Sequence, residues 1–143
     1  MTVSDTTAPT LTVVDPITID PPNHKYHAFA IADLVRAASD VCSHGLGIAD
    51  VVITKASSDE ADNGCGDGNT THDIVIGADC RSIQLRAERE GGGNGRVYTV
   101  SLHVTDVAGN RTDATVKVMV PPNGRSNTAV DDGPRVTVPS NCP

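Results

Sequence analysis

Apolar side chains recur at every second position in several short runs of this chain, the pattern of strands with one buried face. The longest run spans residues 96–105, where Tyr98, Val100, Leu102 and Val104 share one face and Thr99, Ser101 and His103 the other. After a turn at Ala108-Gly109-Asn110 the period resumes with Ala114, Val116, Val118 and Val120, which predicts a hairpin. Upstream, Ile83, Leu85 and Ala87 alternate with Gln84, Arg86 and Glu88, and the Gly91-Gly92-Gly93-Asn94-Gly95 stretch reads as the loop to the next strand. Leu11 and Val13, Val51 and Ile53, and Ile74 and Ile76 mark three further strands. Between Ala30 and Ser39 the spacing of Ile31, Leu34, Val35 and Ala38 is helical, so a strand running into one short helical turn is expected there.

Short strands separated by Gly, Asn, Asp and Pro clusters predict an all-β fold, an antiparallel sandwich. With 143 residues the chain fits one domain. Residues 10–121 form its body, residues 1–9 a linker or donor strand, and residues 122–143 a C-terminal extension with a short strand at Arg135–Pro139. Both terminal runs look like strands without partners.

Aromatic residues make up 2% of the chain and Trp is missing, so the core must be made of Val, Ile, Leu and Ala. A net charge of -7 and a pI near 5.0 argue against nucleic acid and for cations as partners. No apolar run approaches the roughly 20 residues of a membrane span, so no membrane insertion is expected. Four cysteines (Cys42, Cys65, Cys80, Cys142) without CxxC spacing read as disulfides and hence as an oxidising, extracellular compartment. The five histidines show no zinc-protease spacing and no nucleophile elbow is present, so the chain is read as non-catalytic.

The densest chemistry lies in residues 57–73, where Asp59, Glu60, Asp62, Asn63, Asp67, Asn69 and Asp73 stand among glycines with almost no apolar residue. Calcium takes six to eight hard oxygen ligands, and a glycine-rich loop lets carboxylates and carbonyls converge. The spacing is not that of an EF-hand, and a solvated acidic loop is the competing reading.

The segments PPNHK from Pro21, SSDEADNGCGDGNTTHDI from Ser57, QLRAERE from Gln84 and GRVYTVSLHVTDVAGN from Gly95 resemble, in that order, bacterial hyalin-repeat-like immunoglobulin domains. The resemblance covers about residues 8–121 and departs from the common pattern at Ala61 and Cys65. It implies an immunoglobulin-like β-sandwich with a long acidic calcium loop, whose ligands would be Glu60, Asp62, Asn63, Asp67, Asn69 and Asp73, with Glu88 and Asp106 from adjoining strands. It also implies a Cys42–Cys80 bridge as first choice, leaving Cys65 with Cys142, within one chain or between two.

The expected function is a calcium-binding extracellular module with a structural or adhesive role, its partners neighbouring immunoglobulin-like domains or identical subunits. A filament subunit joined by strand donation from either terminus is the second reading. A carbohydrate-binding module is the third, weakened by the lack of Trp.

Overall fold

The structure, a computed structural model, describes residues 5–19, 23–42, 45–61, 72–89, 93–122 and 129–142. Along them run β1 (Thr10–Val13), β2 (Ile17–Thr18), β3 (Tyr26–Ala30), the helical turn α1 (Ile31–Leu34), β4 (Val35–Ser39), a 3-10 turn at Ile48–Asp50, β5 (Val52–Ser58), β6 (Ile74–Ile76), β7 (Ser82–Arg86), β8 (Arg96–Thr105), β9 (Arg111–Val120) and β10 (Val136–Pro139). The fold is all-β, as the alternation predicts. Its sheets are a five-stranded one in the order β10-β5-β8-β9-β2, a three-stranded β3-β7-β6, and the pair β1-β4.

The β8–β9 hairpin is the centre of the large sheet, with Tyr98 opposite Val118, Val100 opposite Val116 and Leu102 opposite Ala114. Each pair but the last places two buried apolar side chains side by side, and such cross-strand pairs are the unit of sheet stability. On the other side β8 pairs with β5, whose register shifts between Ile53 and Lys55. That irregularity is why Ile53 and Ala56, three apart, both point inward. His103, expected on the solvated face, does lie off the core face but is only 8% exposed, and burial together with Arg111 lowers its pKa against the pull of Asp113.

The ambiguous stretch resolves into strand, helical turn and strand. Ile31 and Leu34, one helical turn apart, are both buried, and the Ala30 N–H is satisfied by the Asp33 carboxylate at 2.9 Å. Side chains from α1 to β9 then share one core, including Leu34, Val35, Ile53, Ile74, Leu85, Tyr98, Val100 and Val118.

Both terminal segments are tied to the body of the fold. Residues 5–9 are not a strand; they are held by Asn110, whose amide donates to the Asp5 carbonyl, and by Thr112, whose hydroxyl donates to the Pro9 carbonyl. The C-terminal run does not lack a partner, because β10 pairs antiparallel with β5, from Val136 opposite Ser58 to Pro139 opposite Lys55.

The disulfide differs from the expected pairing as well. Cys80 bonds Cys142 with their Cα atoms 6.3 Å apart, which excludes both Cys42–Cys80 and Cys65–Cys142. The cause is the course of β10. The Cys80 carbonyl accepts the Ile53 N–H at 2.8 Å, and the chain leaving β10 is held at the neighbouring residue of β5 by Ser140 N–H on the Thr54 carbonyl at 2.9 Å. Cys142 therefore arrives beside Cys80, while Cys42, just past β4, is a free exposed thiol. Cys65 lies outside the described residues.

Candidate metal centre

Asp106 opens the turn of the β8–β9 hairpin and organises it. Its Oδ1 accepts the N–H groups of Ala108 and Asn110, each at 2.9 Å, and its Oδ2 accepts the Asn110 side-chain amide at 2.9 Å. Gly109 takes φ +94 within this turn, a conformation that glycine adopts without a steric cost. The same Asn110 amide reaches the Asp5 carbonyl at 2.9 Å and so carries the N-terminal segment onto the hairpin. Asp40, directly after β4, accepts the Cys42 N–H at 3.2 Å.

These three aspartates, far apart in sequence, each offer a carboxylate oxygen within 4.8 Å of the other two. Oxygens bound to one calcium at about 2.3–2.6 Å are at most about 5 Å apart, so the spacing fits a shared ion. Asp5 Oδ1 accepts the Thr7 N–H, whereas Asp5 Oδ2 is buried with no hydrogen-bond partner. Among the described residues neither Asp5 nor Asp106 has an ion-pair partner.

Like charges this close raise the cost of ionising all three groups unless a proton or a cation sits among them. Burial pushes the Asp106 carboxyl up, but the Asn110 side-chain and backbone donors, the adjoining Asp5 side chain and the Ala108 N–H outweigh it and hold the group below the usual carboxylate range. The nearby Cys42 thiol is pushed up by desolvation first and then by Asp5, Asp40 and Asp106, which leaves it a poor nucleophile. The three carboxylates are hard oxygen donors, the chemistry of calcium rather than zinc.

Of the ligands expected from the acidic loop, Asp62, Asn63, Asp67 and Asn69 lie outside the described residues. Glu60, Asp73 and Glu88 are described and do not join the Asp106 cluster. Asp73 is fully buried, with its Oδ2 2.8 Å from Arg96 Nη1 and its Oδ1 3.1 Å from Arg86 Nε. Glu88, also fully buried, stands 3.6 Å from Arg86 and 3.4 Å from His24. Glu60 is buried beside Ser58, whose hydroxyl donates to the Glu60 carbonyl at 2.7 Å. Guanidinium groups thus supply positive charge at both Asp73 and Glu88.

Only Asp106 carried a local signal, the Asp-Val-Ala-Gly-Asn turn. Asp5 and Asp40 are isolated acids in unremarkable surroundings, and nothing in their neighbours marks them. Compared with protein-family models, with curated proteins and with solved structures, the chain matches none.

Proposed function

We propose that the chain is a non-catalytic, extracellular, immunoglobulin-like β-sandwich module with a structural or adhesive role in a secreted or cell-surface assembly, and that it binds calcium through Asp5, Asp40 and Asp106. The convergence of these three carboxylates from distant segments, with Asp5 Oδ2 buried and unpartnered, carries the reading. Calcium there clamps the N-terminal segment to the β8–β9 hairpin and the end of β4. In a tandem array this stiffens the entry from a preceding module.

The immunoglobulin-like part rests on connectivity. Taking β1 as strand A, β3 with β4 as B and β5 to β9 as C to G, the pairings β1-β4, β3-β7-β6 and β5-β8-β9 follow the orders AB, BED and CFG. The chain leaves β1 to run parallel to β9 as β2, Ile17 opposite Val118, so its first strand serves both layers. The disulfide supports an oxidising compartment, and no helix among the described residues is long and apolar enough to cross a membrane. Carbohydrate binding gains nothing here, since Tyr98 is buried and the Tyr26 ring carries the Arg86 guanidinium at 4.1 Å.

A thermal melt in calcium against excess chelator tests the proposal. Calcium at 100 times its dissociation constant should stabilise by about 2.7 kcal/mol, on the order of 10 °C in melting temperature for a domain of this size. Asp40→Asn should abolish the rise. An unchanged melting temperature removes calcium from the reading, and a rise that survives Asp40→Asn moves the ion to the acidic loop.

A further inference from the structure

The segment 129–142 runs along the edge of the large sheet, and none of its residues is buried. Its attachments are main-chain bonds and exposed polar contacts. Val130 N–H donates to the Asn94 carbonyl at 3.1 Å, Arg135 N–H to the Ser58 carbonyl at 2.8 Å and Ser140 N–H to the Thr54 carbonyl at 2.9 Å. The Asn94 amide donates to Asp132 at 2.8 Å, and Lys117 pairs with Asp131 at 2.6 Å with both side chains more than a third exposed. Exposed ion pairs of this kind hold weakly. From this segment Val138 alone packs against the core. The covalent anchor is Cys142 on the fully buried Cys80.

What lies beneath is different in kind. On β5 and just after it, Ala56, Ser58 and Asp59 are buried, and Asp59 spends one carboxylate oxygen on the Val97 N–H and the other on the Asp132 N–H of the segment. An uncovered β5 edge presents a row of unpaired N–H and C=O groups, a template for strand addition.

We propose that the edge of β5 is a strand-acceptor site occupied in cis by β10, and that once the Cys80–Cys142 bond opens it accepts β10 of a second copy of this chain. Every copy carries a strand with the matching register, a valine for the same contact and a cysteine that arrives at Cys80. The exchange is a disulfide isomerisation. A small thiolate attacks the intrachain bond and holds one sulfur as a mixed disulfide, and the freed cysteine of the other copy displaces it to form Cys80–Cys142 between chains. Bonds broken and formed are equal and no net electrons move. Cation binding plays no part in it.

The tethered strand has an effective concentration in the millimolar range, so exchange is concentration-dependent below that. The full chain, half of it 15N-labelled, is incubated in a glutathione redox buffer, quenched with acid, digested and read by mass spectrometry for Cys80–Cys142 peptides of mixed label. Their share should rise about tenfold between about 10 µM and about 100 µM chain, because both lie below the effective concentration of the tethered strand. Val138→Asp, which weakens the docking of β10 in cis and in trans alike but leaves both thiols in place, should bring the mixed-label bond, counted against all Cys80 peptides, down to the level of interchain Cys142–Cys142. Absence of mixed-label Cys80–Cys142 peptides overturns the proposal, as does a yield that Val138→Asp leaves unchanged, since random scrambling needs no strand.

Discussion

Arg96 lies fully buried, and its guanidinium is satisfied by Asp73 at 2.8 Å, by the Ser58 hydroxyl at 2.7 Å and by the ring of Tyr98 at 4.7 Å. Tyr98 completes this chain of contacts by donating its hydroxyl to the Arg86 carbonyl at 2.7 Å. Desolvation raises the Tyr98 pKa well above its ordinary value; Arg96 works against the rise and the nearby carboxylates add to it. The folded protein thus keeps the proton that an unfolded tyrosine loses near pH 10. A pKa raised on folding contributes stability below pH 10 and loses it as pH rises further, by about 1.4 kcal/mol per unit. Urea melts between about pH 9 and pH 11 should show this loss, and Tyr98→Phe should flatten it while costing about 1 kcal/mol at neutral pH for the lost hydrogen bond. An equal slope in both proteins assigns the alkaline loss to other groups. In the sequence Arg96 and Tyr98 share one face of a strand, which is legible, but that an arginine would take the core face with an aspartate from residue 73 is not.

At the scale of elements, the strands were readable because each has a face to bury, and period two records that face. The junctions were less so. β7 ends at Arg86, yet Glu88 is as buried as Ala87, because beyond the strand the alternation of faces lapses and Arg86 and His24 close around the carboxylate. Gly95, the last glycine of its loop, takes φ +89 directly before β8. A Cβ there would lie 2.6 Å from the Ala129 Cβ and 2.9 Å from the Val120 carbonyl oxygen. Gly95→Ala should therefore destabilise by about 2 kcal/mol, from left-handed strain and from pushing the C-terminal segment off this corner, measured as a lower urea midpoint at unchanged slope. A midpoint within error of the parent would mean that neither the positive φ nor the contact with segment 129–142 costs stability at this corner.

At the scale of the whole molecule, the C-terminal segment is joined to the body across 62 residues by Cys80–Cys142. Closing a loop of that length restricts the unfolded chain by about 4 kcal/mol in the entropy model. The double variant Cys80→Ala/Cys142→Ala should lose most of that in an equilibrium melt, and a loss under about 1 kcal/mol would show that the unfolded chain is already compact or the native bond strained. Local pattern by itself determined the β class, the β8–β9 hairpin, the helical turn at Ile31–Leu34 and the apolar core, because periodicity and turn residues act over a few neighbours. Tertiary structure alone decided the partner of Cys80, the pairing of β10 with β5 and the meeting of Asp5, Asp40 and Asp106. Each of these depends on where strands distant in sequence come to lie side by side, and no local pattern of side chains encodes that.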